Sequence, residues 1–204
     1  SKYIIMNYIN SIMFLNIKKM IKKKIFFITL LIMFFGFFNT NNVNTREVPG
    51  SAYDFTFTDI DGNNFPLSQF KGKPLLIFNS ASKCGFTSQY TGIQKIHEEY
   101  KKKGLIVIGV PSDNFNQEPG TEKDIKEFCM VNFNITFNLT KKNNVTGSNA
   151  HPFFEWLEKN YEVKPKWNFY KFVINKNGKL EEHFSSMVSP SSKKLVYTLD
   201  KVIE

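Results

Sequence analysis

From Tyr53 onward the apolar positions pass through a succession of periods. Tyr53, Phe55 and Phe57 alternate with polar residues, and Asp61-Gly62 follows as a turn signal, so this part of the chain opens on a hairpin. The run "KPLLIFNSAS", residues 73 to 82, does not alternate, which predicts a strand covered on both faces. Beyond "CGFT" the period lengthens: Tyr90, Ile93, Ile96 and Tyr100 make one stripe of an amphipathic helix that "KKKG" closes with cations and a glycine. "LIVIGVPS" reads as a second buried strand. A helix follows in "TEKDIKEFCMVNF", where Thr121 can cap and Asp124 can close a capping box. "NAHPFFEWLEKNY" reads as a third helix. "FYKFVINKNGKLEEHFS" reads as two strands about an Asn-Gly turn, before a terminal helix in "SPSSKKLVYTLDKVIE".

That order describes an α/β fold: a central mixed sheet with a parallel core and an antiparallel edge, flanked by helices and preceded by a hairpin. No internal repeat is present. In such sheets sites gather at the carboxyl ends of the strands, and Cys84 stands there, after "PLLIFN" and at the start of the next helix.

Residues 1 to 46 are of a different material from residues 47 to 204. Lys22 to Lys24 precede an uncharged run from Ile25 to Phe38, and a polar Asn/Thr stretch follows it. Basic, apolar and polar regions in that order are expected of a secretory signal, and the run is shorter than the ~20 residues that cross a bilayer. A membrane anchor accommodated by tilt or thinning is the competing reading. Translation from Met6, Met13 or Met20 would keep the apolar run in every case. The expectation is a leader and linker over 1–46, directing the chain to the secretory route or an organelle, with a cytosolic form as the alternative.

The formal charge of +9 belongs mostly to that segment, which holds seven of the 27 Lys and Arg and no acid. The rest has 20 basic against 18 acidic residues, interleaved as on solvated helix faces, so nucleic acid is not an expected partner. Cys84 and Cys129 are too far apart for a metal-site spacing, and His97, His151 and His183 are scattered, so neither a metal nor a cofactor is called for. Free N–H groups and the helix dipole at a strand-to-helix junction favour a thiolate at Cys84, with Lys83 beside it and Gly85 allowing close approach. The alternative, a cysteine packed as a small hydrophobe, fits poorly with its polar flanks.

"FNSASKCGFT" resembles the active-site motif of the glutathione peroxidase family, with cysteine where some members carry selenocysteine. "GLIVIGVPSDNFNQEPG", "VTGSNAHPFFEWL" and "KWNFYKFVINKNGKL" resemble three further blocks in the same order, and the likeness runs from about Tyr53 to Glu204. The resemblance implies a thioredoxin-like fold and a thiol peroxidase that reduces hydrogen peroxide and organic or lipid hydroperoxides. It carries the catalytic tetrad onto Cys84, Gln117, Trp167 and Asn168, and a resolving role onto Cys129, with thioredoxin rather than glutathione as the reductant. Two departures matter. The second motif is one residue short before Gln117 and has Ser112 where a cysteine is common. The short span from His151 to Trp167 resembles members without the oligomerisation insert, which implies a monomer.

These roles are chemically coherent. A thiolate attacks the outer oxygen of an O–O bond, and an amide or indole N–H can assist the leaving oxygen without competing as a nucleophile. The sulfenic acid left on Cys84 requires a second thiol. Cys129 as a merely packed thiol is the competing reading, and local unfolding would be needed if its helix holds the sulfurs apart. A disulfide reductase of the same fold is disfavoured because no second cysteine follows Cys84 at the required spacing. A peroxide sensor that passes oxidation to a partner would use the same two cysteines, and differs in stalling after about one equivalent of peroxide.

Overall fold

The computed structural model describes residues 18–24 and 50–204. Residues 18–24, with Lys22 to Lys24 among them, are helical and exposed. The apolar run from Ile25 to Phe38 and the linker after it lie outside the described residues. Among the described residues no helix is long and apolar enough to cross a membrane.

The second stretch opens on a short 3₁₀ turn capped by Ser51, then a hairpin of β1 (Thr56–Thr58) and β2 (Asn64–Pro66) that pairs Phe57 with Phe65. Its loop runs over residues 59–63, longer than a two-residue turn, because Asp59 accepts backbone N–H bonds from both Asp61 and Asn63. The main sheet has the order β5 (Asn138–Leu139), β4 (Ile106–Pro111), β3 (Leu75–Ser80), β6 (Lys171–Ile174), β7 (Leu180–Phe184). β3, β4 and β5 run parallel, whereas β6 and β7 are antiparallel additions, which is the mixed sheet that the sequence predicts.

Every residue of β3 is buried, and its alternate side chains feed two separate cores. Leu76 and Phe78 pack with Tyr90, Ile93, Ile96 and Tyr100 of α1 (Gln89–Tyr100), with Ile125 of α2 (Glu122–Phe133) and with Leu195 and Leu199 of α4 (Lys193–Ile203). Leu75 and Ile77 pack against the hairpin and against Phe153, Phe154, Trp156 and Leu157 of α3 (Pro152–Tyr161). Burying a large apolar side chain stabilises the fold by roughly 1.5–3 kcal/mol, so these two layers define the architecture.

Local signals are met where physics demands them. Gly104 ends the helical run after α1 at φ 97, a left-handed conformation that glycine adopts without a Cβ clash. Thr121 and Asp124 form the reciprocal capping box of α2. At Gly109 a Cβ would lie 2.8 Å from Leu139 Cδ2, and this close approach lets the two-residue strand β5 join the sheet.

Candidate active site

Sheet topology brings three loops to one end of the main sheet. Cys84 follows the carboxyl end of β3, Gln117 follows the carboxyl end of the parallel neighbour β4, and Trp167-Asn168 precede β6, which starts beside the end of β3 because it is antiparallel. Phe78 is paired with Lys171, which fixes that juxtaposition.

Cys84 does not stand on the first turn of a regular helix, because α1 begins only at Gln89. The intervening chain winds as successive i→i+3 turns: Thr87 N donates to Cys84 O, Gln89 N to Phe86 O and Tyr90 N to Thr87 O. The sulfur therefore meets a loop amide, with Phe86 N donating to Cys84 Sγ at 3.4 Å, instead of the open end of a helix. Thr87 organises this loop. Its hydroxyl accepts from Cys84 N at 3.0 Å and lies within hydrogen-bond distance of the carbonyls of Ala81 and Cys84. Cys84 is itself buried.

Gln117 and Asn168 are brought together directly: Asn168 Nδ2 donates to Gln117 Oε1 at 3.0 Å. Immediately before Gln117, Asn116 adopts a left-handed conformation, φ 56, and its N–H closes a turn onto Asp113 O. Gln117 is also tied to the cysteine loop, since Lys83 N donates to Gln117 O at 3.0 Å. Trp167 is half-exposed and its ring packs against Phe115, with centroids 5.3 Å apart. Among the described residues none of these three side chains hydrogen-bonds to Cys84 Sγ; the four residues share one end of the sheet and two connected loops.

Adjacent side chains of a regular strand point to opposite faces, so Trp167 and Asn168 can serve one site only if the chain there is irregular. It is: Phe169 has φ 63, a conformation uncommon for a bulky residue, costing of order 1–3 kcal/mol. Three consecutive carbonyls each receive a buried side-chain donor. Asn79 Nδ2 donates to Trp167 O at 3.0 Å, Ser186 Oγ to Asn168 O at 2.5 Å and Lys171 Nζ to Phe169 O at 2.8 Å. Asn79 adds a bond from Tyr170 N to its side-chain oxygen, and its own carbonyl accepts from Phe169 N. Burial pulls the Lys171 amine from the ordinary lysine range down to about 7.

Cys129 lies on the inward face of α2, fully buried, and both cysteines are free thiols. Burial pushes its thiol up to about 11, so it is protonated at neutral pH in this conformation. Beside it is the buried hydroxyl of Tyr90, which in turn neighbours the buried hydroxyl of Ser80. Glu118, next to Gln117, is also buried, and desolvation raises its carboxyl above the usual range against bonds from Ser82 that lower it.

Asn79, Thr87, Glu118, Lys171 and Ser186 were not singled out by reading the sequence. Two of them carried a signal: Asn79 and Lys171 are polar residues inside buried strand runs, where an unpaired polar group is costly. The others depend on loop conformations that no periodicity encodes.

A family model described as glutathione peroxidase matches residues 52–158. The chain is 43% identical to the glutathione peroxidase-like peroxiredoxin gpx1 of Schizosaccharomyces pombe, over 68% of this chain and 90% of that protein. It is 37% identical to the hydroperoxy fatty acid reductase gpx1 of Synechocystis, over 72% and 93% respectively. Among solved structures, Trgpx in its apo form superposes with a TM-score of 0.61 at 33% identity, covering 75% of this chain and 95% of that one. A thioredoxin-family thiol:disulfide interchange protein of Chlorobium tepidum gives a TM-score of 0.57 at 16% identity, over 76% and 97%, a likeness of fold alone. The fold is thioredoxin-like.

Proposed function

We propose, proceeding from the fact that this chain belongs to the glutathione peroxidase family, that its peroxidase chemistry runs through Cys84, with Gln117 and Trp167 as the donors around it and Asn168 holding Gln117 in place. The observation that carries this reading is the Gln117–Asn168 amide pair at 3.0 Å, held against the cysteine loop through Lys83 N and Gln117 O. These bonds join residues far apart in the chain to the loop that carries the free cysteine.

The Cys84 thiolate attacks the outer oxygen of a hydroperoxide. The S–O bond forms as the O–O bond breaks, the leaving alkoxide or hydroxide takes a proton, and an alcohol or water departs, leaving a sulfenic acid on Cys84. Donors fixed before the reaction stabilise the charge that develops on the leaving oxygen without reorganising. The Gln117 NH₂ group and the Trp167 indole N–H have no protein partner among the described residues, which fits them for that task.

Cys129 then attacks the sulfenic sulfur, water leaves, and a Cys84–Cys129 disulfide forms for thioredoxin to reduce. Its burial and raised thiol mean that α2 must open locally before the attack, which is why this step belongs to a rearranged state. The hydroperoxide class includes fatty-acid hydroperoxides, by analogy with the Synechocystis reductase. The protein acts as a monomer, a reading supported by the short connection between α3 and Trp167. Residues 1–46 serve as a leader, supported by the lysine cluster and the apolar run after it.

The deciding experiment is a steady-state assay of peroxide consumption with thioredoxin or glutathione as reductant. Many turnovers with thioredoxin and few with glutathione are expected. Consumption that stops after about one equivalent with either reductant would favour the sensor reading. A reporter fused to residues 1–46 that stays wholly cytosolic would remove the leader, and light scattering that gives twice the chain mass would remove the monomer.

A further inference from the structure

We propose that Glu118 is a positioning residue of this site: its carboxylate clamps the Cys84 loop to the Gln117 loop and sets where the Gln117 amide stands relative to the sulfur. The proposal rests on the roles given above to Cys84 and Gln117.

Glu118 is 1% exposed, and its Oε2 accepts from both Ser82 N at 2.8 Å and Ser82 Oγ at 3.0 Å. One residue earlier, Gln117 O accepts from Lys83 N at 3.0 Å. Two consecutive residues of one loop thus bond two consecutive residues of the other, forming a two-rung ladder that ends immediately before Cys84. The far side of the ladder is itself closed. Glu118 N donates to Asp113 Oδ1 at 2.8 Å, and Asn116 N donates to Asp113 O at 2.9 Å. Lys142 Nζ reaches Glu118 O from the chain beyond β5.

The choice of an acid is informative. Hydrogen bonds to a carboxylate are about twice as strong as neutral ones, and two donors converge here on one oxygen. Desolvation opposes that choice, as the raised carboxyl shows, so a buried acid is an expensive way to tie two loops. Nor does it help by charge, because the Glu118 anion works against ionisation of its neighbours Cys129 and Tyr90. What remains is position: a rigid tie that keeps Gln117 in place although the loop before it is short.

The test uses the full chain and stopped-flow oxidation by hydrogen peroxide under single-turnover conditions, read by loss of Cys84 alkylation. Glu118→Ala should slow oxidation at least about tenfold, and Glu118→Gln, which keeps an acceptor oxygen, should stay within about threefold of wild type. Because Glu118 acts through Gln117, Glu118→Ala made in a Gln117→Ala background should cost no more than about twofold further. A wild-type rate in Glu118→Ala, or losses that multiply in the double variant, would overturn the proposal. Should Glu118→Ala lose the native circular dichroism, Ser82→Ala takes its place. Removal of one of the two donors should slow oxidation a few-fold in wild type and not in Gln117→Ala; no loss, or equal loss in both backgrounds, overturns the proposal. Peroxide consumption that persists in Cys84→Ser would instead reject the underlying assignment of the reacting sulfur, a distinct result.

Discussion

Asn168 donates its amide Nδ2 to Oε1 of Gln117 at 3.0 Å, joining residues 51 positions apart. Because the oxygen of Gln117 is the acceptor, its NH₂ group is turned away from Asn168 and carries two hydrogens with no protein partner among the described residues. Asn168 is fully buried and Gln117 is not. In the proposed reaction the pair would divide its work, with Asn168 orienting and Gln117 presenting the donor.

That division predicts a specific result for Asn168→Asp. A carboxylate cannot donate to Gln117 Oε1 and would draw the NH₂ group toward itself, reversing the amide. Removal of one preorganised donor typically slows a reaction ~10²- to 10³-fold. Asn168→Asp and Gln117→Ala should therefore each slow single-turnover oxidation of Cys84 at least about tenfold at neutral pH, with circular dichroism unchanged. Full activity in Asn168→Asp would show that the orientation of the Gln117 amide does not matter.

Cys84→Ser should abolish peroxide consumption, while Cys129→Ser should leave the first oxidation intact and stop turnover with thioredoxin. Alkylation separates the two thiols without mutation. Cys129 is fully buried and its thiol is pushed up to about 11, so the reduced native protein should react with iodoacetamide at Cys84 well before Cys129. After one equivalent of peroxide neither should react, and reduction by dithiothreitol should restore both. Equal labelling of the two cysteines before peroxide would show that α2 already opens in the resting protein.

Much of this architecture was legible because it is periodic. The stripe Tyr90, Ile93, Ile96, Tyr100 is buried as its spacing predicts, β3 is covered on both faces, and Thr121 caps α2. What was not legible is set by distant contacts. β5 is only Asn138–Leu139 and exists because Leu139 packs where Gly109 leaves room. The left-handed Phe169 has no local signal, since nothing in "WNFYK" favours a positive φ at an aromatic residue; Asn79, Ser186 and Lys171 impose it from β3, the end of β7 and β6. Cys84 was placed correctly at the end of β3, but the turns that delay α1 to Gln89 depend on the Thr87 hydroxyl, which the sequence pattern treats as one more polar residue.

Trp167 offers a narrower prediction. Its ring is held by Phe115 at 5.3 Å while the indole N–H stays available, so Trp167→Phe should keep the packing and remove only the donor. Single-turnover oxidation should slow by about three- to tenfold, less than for Gln117→Ala, because a half-exposed donor acts in a higher dielectric. A larger loss accompanied by a lower Tm would mean that the ring serves packing before chemistry.

The last prediction concerns the cost of holding that kink with a lysine. Lys171 is fully buried, its amine is drawn down to about 7 by desolvation, and its one hydrogen-bond acceptor among the described residues is Phe169 O. An unfolded lysine titrates near 10.4, so between about pH 7 and pH 10 the unfolded chain binds more protons than the folded one, and stability attributable to Lys171 rises with pH. Below about pH 7 both states carry the proton and the penalty is full and constant; above about pH 10.4 it is gone. The slope is at most ~1.4 kcal/mol per pH unit, or about 3–5 °C per unit for a domain of this size. Lys171→Met removes both the penalty and the bond to Phe169. Its Tm minus that of wild type should accordingly be greatest at pH 6 to 7 and fall as pH rises to 9, while the other titrating groups cancel in the difference. Peroxide oxidation of Cys84 should nevertheless slow in this variant at every pH, because the third carbonyl of the kink has lost its donor. A Tm difference that does not change with pH would show that the amine is solvated, and an unchanged oxidation rate would show that Asn79 and Ser186 hold the kink without it.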